Sequence, residues 1–145
     1  LRTMEMFRGR EVLSKNDERV AAMTTAVRSL HPKWGEVEAR ECYYLPASGM
    51  YIFKGHGIGA YWCRNKADYH TSSSVYWCFE PRGGGKVHQR CFSTKDAPPG
   101  RSSCTCALYR GPQSGLTKHA VMLLWPKAAQ VQPTLLQGPK RKRVM

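Results

Sequence analysis

Cys63-Arg-Asn-Lys-Ala-Asp-Tyr-His70 is followed, after a serine-rich link, by Val75-Tyr-Trp-Cys-Phe79, then Arg82-Gly-Gly-Gly85, then Lys86-Val-His-Gln-Arg-Cys91. The Val75 to Phe79 run is β-branched and aromatic, and it reads as a strand. The three glycines accept positive φ at no steric cost, so they turn the chain into a hairpin. Lys86 to Cys91 is the returning strand. A cysteine and a histidine therefore precede the hairpin, and a second cysteine ends it. Thiols and imidazoles gathered from two clusters in this way suit a structural zinc site.

Upstream, residues 17–30 read as a helix. Val20, Met23, Val27 and Leu30 recur at helical spacing, which gives one apolar face. Asn16 or Asp17 caps its start, and His31-Pro32 ends it, because proline disfavours helix for the residue before it. Cys42-Tyr-Tyr-Leu45 and Met50 to Lys54 read as strands joined by a turn. Gly55-His-Gly-Ile-Gly59 reads as a flexible turn only. Cys104-Thr-Cys106 opens a short strand-like piece after Pro98-Pro99-Gly100, and His119 to Trp125 is a last apolar element, strand or short helix.

The expected class is α+β: an N-terminal helix followed by a small antiparallel, zinc-braced β-sheet. The expected division is a helical segment over 1–40, a zinc-binding β domain over 41–125 and a basic, disordered tail over 126–145. That tail ends in Pro139-Lys-Arg-Lys-Arg143, the pattern of a nuclear import signal or a phosphate-binding tail.

The chain has 145 residues, with 23 Lys and Arg against 10 Asp and Glu, a formal net charge of +13. Such an excess favours a polyanionic partner. No run reaches the ~18 apolar residues of a membrane span, so no membrane partner is expected. No signal peptide is visible, and the six cysteines then read as reduced thiols or metal ligands rather than a disulfide framework. The first residue is leucine, which points to a piece of a longer polypeptide. A secreted protein with three disulfides is the contrasting class, and thiol titration in denaturant separates it from a metal protein.

Zinc takes four ligands. Cys63, His70 and Cys91 supply three. The fourth is open between Asp96, through oxygen, and Cys104 or Cys106 folded back across the Pro-Pro-Gly loop. Cys42 and Cys78 read as buried small hydrophobes. His56 and His88 lie near in sequence, and His88 reads as a surface histidine.

Cys63-x6-His70-x-Ser-Ser, an apolar strand, a turn and Gln89-Arg90-Cys91 resemble the C-terminal zinc motif of the archaeo-eukaryotic primase superfamily. The pattern is most similar to the eukaryotic primase-polymerase and the herpesvirus helicase-primase primase subunit. The resemblance covers roughly residues 42–96. That family's motif ends in a second cysteine about five positions after the first of its last pair. Here that place falls on Asp96, which departs from the pattern.

The resemblance implies the zinc-binding C-terminal region of a DNA primase or primase-polymerase. Such a region holds single-stranded template DNA and the initiating nucleoside triphosphate while a separate catalytic domain, a nucleotidyltransferase, joins nucleotides. It also implies a structural Zn2+ and a nuclear location, or a mitochondrial one, or the host nucleus for a viral protein. Arg64, Lys66 and Arg90 would contact phosphates.

Independently of that resemblance, basic residues interleave with aromatics: Arg64, Lys66, Arg82, Lys86, Arg90 and Lys95 with Tyr61, Trp62, Tyr69, Tyr76 and Trp77. Aromatic faces stack on unpaired bases while cations hold phosphates. Strand alternation sends about half of these aromatics inward. Glu36-Val-Glu38 lacks the context of a catalytic carboxylate pair and reads as a solvated face, so this chain alone is not expected to synthesise primers. The alternative reading is a stand-alone zinc-binding nucleic-acid protein of a virus or mobile element.

Overall fold

Val75–Glu80 forms the central strand of the sheet in the computed structural model, which describes residues 9–71, 73–92 and 106–127. Asp96, Cys104, Lys95 and the basic tail beyond residue 127 lie outside the described residues. Eight strands are present among those described: β1 (Glu11–Val12), β2 (Glu38–Leu45), β3 (Met50–His56), β4 (Trp62–Cys63), β5 (Asp68–Tyr69), β6 (Val75–Glu80), β7 (Lys86–Cys91) and β8 (Ser114–Gly115). Two α-helices, α1 (Glu18–Leu30) and α2 (Lys118–Leu124), complete an α+β fold.

Six strands make one antiparallel sheet in the order β1-β2-β3-β6-β7-β8. The remaining two, β4 and β5, form a separate two-stranded hairpin inserted between β3 and β6. This insertion brings the hairpin that carries Cys63 and His70 to the end of the sheet where Val75 pairs with Cys91.

Alternation sorts the strands onto two faces. One face packs Cys42, Tyr51, Phe53, Val75, Trp77, Phe79 and Val87 against both helices, through Val20, Met23 and Val27 of α1 and Val121 and Leu124 of α2. The other face gathers Tyr43, Leu45, Ile52, Tyr76 and Cys78. Helix α1 begins where expected: Asp17 is its N-cap and its side chain accepts from the Arg19 backbone N–H. His31-Pro32 does end it, and Pro32–Trp34 then forms a 3-10 turn that buries Trp34 under the sheet.

Several elements differ from the sequence reading. Strand β2 starts at Glu38, well before Cys42, because its first part alternates exposed charged residues with half-buried ones. The glycine stretch is more than a flexible turn: Gly55 lies within β3, where a Cβ would meet Val37 Cγ1 at 2.5 Å. The last apolar element takes the helical one of its two expected forms, capped by the Thr117 side chain, which accepts from Ala120 N–H. Cys106–Leu108 is a 3-10 turn, not a strand; a tight turn aims one thiol inward where an extended piece would alternate. The hairpin turn is as expected, with Gly83, Gly84 and Gly85 all at positive φ. At Gly85 a side chain would also strike Val121 Cγ2 at 2.7 Å, so this glycine lets α2 close on the turn.

Candidate metal centre

Four side chains converge at the junction of the inserted hairpin and β7. Cys63, His70, Cys91 and Cys106 place their ligand atoms within 4.8 Å of one another, and all four are buried. Each comes from a different piece of chain: Cys63 from β4, His70 just after β5, Cys91 from the end of β7, Cys106 from the last 3-10 turn. Backbone hydrogen bonds fix the hairpin. Ala67 N–H donates to Cys63 O at 2.8 Å, and His70 N–H donates to Tyr61 O at 2.8 Å. Ala67 takes φ 55 in the left-handed region, a strained position for a residue with a Cβ.

The donor set fits a metal ion. The Sγ atoms of Cys63 and Cys91 lie 3.3 Å apart. Two sulfurs on a tetrahedral zinc, with bonds of about 2.3 Å, stand roughly 3.8 Å apart, so the pair needs to open by only about 0.5 Å to take the ion. His70 Nε2 is buried and has no hydrogen-bond partner among the described residues, which is costly for a polar nitrogen unless something else satisfies it. Three thiols and one imidazole are the soft, nitrogen- and sulfur-rich set that closed structural sites use.

The surrounding groups are aimed at the thiols. Gln89 Nε2 donates to Cys91 Sγ at 3.1 Å and to Cys63 Sγ at 3.6 Å. Gln89 Oε1 accepts from Arg64 N–H at 3.2 Å. Asn65 Nδ2 donates to Cys106 Sγ at 3.4 Å. Of the three thiols, Cys63 is the one whose thiolate form is favoured. Its pKa is pushed down, first by the hydrogen bond with Cys91, then by His70, the Lys66 backbone and Gln89, all against burial. Cys91 is pushed up, first by its hydrogen bond to Cys63 and then by burial. Burial pushes Cys106 up as well. The cluster thus shares negative charge in a dry site, the condition in which a cation is favoured.

Of the candidate ligands, the structure brings together Cys63, His70, Cys91 and Cys106. Asp96 and Cys104 fall outside the described residues. Cys42 and Cys78 are buried in the sheet, and burial raises each thiol to about 12. His88 corrects the surface reading. It is only 2% exposed and faces away from the cluster, opposite Cys78, with Nδ1 3.6 Å from Glu80 Oε2. Neither ring nitrogen has a hydrogen-bond partner among the described residues, and burial lowers its pKa. His56 is exposed and lies 3.6 Å from Glu38 Oε1. Glu36 and Glu38 are exposed on either side of buried Val37.

The cations do not gather in one place. Arg64 is half-buried: its Nη2 donates to Leu30 O at 3.3 Å, and its guanidinium lies 5.9 Å from the Trp34 ring centre. Lys66 stays beside the hairpin, with Nζ 3.5 Å from Tyr69 O. Arg90 alternates onto the face away from the cluster, opposite Tyr76. Lys86 is five residues up β7 from Cys91, about 17 Å at the usual strand rise, and Arg82 lies beyond it at the hairpin turn. Of the aromatics, Trp62, Tyr76 and Trp77 are buried, whereas Tyr61 and Tyr69 are exposed.

Sequence reasoning missed Asn65 and the role of Gln89. Gln89 had a signal, since it sits two positions before Cys91 and must share that residue's face. Asn65 had none, because a turn residue carries no periodicity.

The chain matches no protein-family model, and no curated protein or solved structure is significantly similar to it. No helix among the described residues is long and apolar enough to cross a membrane.

Proposed function

We propose that the Cys3His cluster holds a structural Zn2+ and that the domain it braces binds single-stranded DNA, as the zinc-binding C-terminal region of a DNA primase or primase-polymerase. One observation carries the reading: four buried ligands from three separate parts of the chain, the inserted hairpin, β7 and the last 3-10 turn, converge in a chain of net charge +13. Four protein ligands leave no open position for a reacting water, so the ion would be structural. It would tie the inserted hairpin, β7 and the last 3-10 turn together and neutralise the shared thiolate charge. The chain's own residues do the rest: Gln89 and Asn65 orient the thiols, and the net positive charge of the chain attracts a polyanion.

The resemblance through Cys63, His70 and Gln89-Arg90-Cys91 supports the primase assignment. In that assignment the catalytic carboxylates belong to a separate domain, the partner in primer synthesis, and the protein works in the nucleus. A second reading is favoured by one observation. Cys106 follows Cys91 by fifteen positions, against about five in the primase motif. A stand-alone zinc-binding nucleic-acid protein accommodates that spacing without difficulty.

Fluorescence anisotropy of a labelled single-stranded oligonucleotide against the zinc-loaded protein tests this. Binding that weakens linearly in log salt is expected. Adding a nucleoside triphosphate with Mg2+ should tighten it if the module grips template and initiating nucleotide together. Oligonucleotide binding without that coupling selects the stand-alone reading. No binding at low salt overturns both.

A further inference from the structure

The hairpin that supplies two of the four ligands has an outer side as well. Tyr61 and Tyr69 are 38% and 37% exposed there, and Ile58 beside them is 79% exposed. Together with His70 and Thr71 they line an open groove of about 630 Å³, within the roughly 300–1,000 Å³ typical of small-molecule and cofactor sites. We propose that this groove takes an unpaired base of single-stranded DNA, stacked on Tyr61 and Tyr69, with Lys33 and Lys66 holding the adjoining phosphates. This deepens the nucleic-acid reading and rests on it.

Three features carry the assignment. The first is the separation of roles among the aromatics. Trp62 is buried between His31, stacked on it at 4.3 Å, and Trp34, in edge contact at 5.8 Å. It packs the hairpin down, while its neighbour Tyr61 and its cross-strand partner Tyr69 are left facing solvent. A base presents a flat π-face of any sequence, and an exposed aromatic ring is the surface that accepts it.

The second is rigidity. Tyr69 is held in the β4–β5 ladder opposite Trp62, and Tyr61 O accepts the His70 backbone N–H. Tyr61 stands two residues before Cys63 and Tyr69 one residue before His70, so the same cluster that closes the hairpin fixes the backbone that carries both rings. A platform held in place loses little freedom when a base docks.

The third is charge. Lys33 Nζ lies 5.7 Å from the centre of the Tyr69 ring, and Lys66 Nζ lies 3.5 Å from Tyr69 O. The neighbouring carboxylate, Asp68, is turned back to accept the Tyr69 N–H at 2.7 Å. An ammonium group over the Tyr69 ring and a second beside the Tyr69 carbonyl put positive charge where the phosphates of a stacked nucleotide would run. An open groove also lets a continuous strand pass, which an enclosed pocket would not.

The test uses the zinc-loaded full chain and a labelled oligothymidylate, read by anisotropy over a salt series. Tyr61→Ala/Tyr69→Ala should weaken binding about fivefold to a hundredfold with zinc content and salt slope unchanged, since no cation is removed. Tyr61→Phe/Tyr69→Phe should bind as wild type, because the stacking face survives. Lys33→Ala/Lys66→Ala should flatten the slope by about 1.4, the single-strand value for two phosphates. Photocrosslinking of the wild-type protein to a 5-iodouracil oligonucleotide gives a reading independent of any variant, and attachment at Tyr61 or Tyr69 is expected. Wild-type binding with an unaffected double alanine variant, or crosslinks confined to other residues, overturns the groove and leaves the nucleic-acid reading standing. A wild-type protein that binds no oligonucleotide removes both.

Discussion

Cys63 and Cys91 are 28 residues apart in the chain, yet their Sγ atoms sit 3.3 Å from each other, and the Gln89 side-chain amide donates to both. That arrangement is the hinge of the molecule. It joins the inserted two-stranded hairpin, which Trp62 also packs down against Trp34, to the end of the main sheet. A metal bound there contributes directly to folding, because its ligands are brought together only in the native state.

Gln89 orients the thiols without ligating. Gln89→Leu keeps the strand and its volume but removes the donor. Metal affinity should fall about 10- to 100-fold, the usual effect of losing a group that positions a ligand. Competition with a fluorescent zinc chelator measures this. Unchanged affinity would mean that the amide is only packing.

Thiol chemistry should divide the cysteines into two groups. Burial raises Cys42 and Cys78 to about 12, so at pH 8 almost none of either is thiolate, the reactive form. Adding a chelator to native protein should make Cys63 the first thiol labelled by iodoacetamide, while Cys42 and Cys78 stay unlabelled until denaturant is added. Mass mapping of the labelled sites checks the order. Early labelling of Cys78 would contradict its place in the sheet.

Asp17 starts α1, and its carboxyl pKa is lowered, first by the hydrogen bond from the Arg19 side chain. A depressed folded pKa contributes stability that is present above the unfolded value near 3.9 and lost as pH falls through the folded one. Asp17→Ala should therefore cost about 1 kcal/mol, constant from pH 8 to 5, in urea unfolding. A penalty that shrinks across that range would point to a different titrating group.

The sheet's centre was legible because Val75 to Phe79 is uniformly apolar and the glycines after it permit only a turn. Helix α1 was legible from period and punctuation. The start of β2 was not: Glu36-Val-Glu38 read as a solvated face, and a half-exposed strand hides behind such residues until its partner is known. Cys63, His70 and Cys91 announced themselves by spacing around a hairpin. Cys106 could be named only as one of several, because no local sequence pattern between Cys91 and Cys106 dictates which later side chain reaches the cluster. His88 was misread for a related reason. Alternation put it opposite Gln89 correctly, but alternation alone does not say whether the second face is solvated, and here that face is packed.

Metal content by elemental analysis is the measurement to make first, on the wild-type protein, Cys63→Ser, Cys106→Ser, Asp96→Ala and Cys104→Ser. About one zinc per chain is expected in the wild type, lost in Cys63→Ser and Cys106→Ser and kept in the other two, as four-coordinate binding by the buried cluster requires. A Cys106→Ser protein that keeps its full zinc, or a wild-type protein that carries none, would contradict the Cys3His centre.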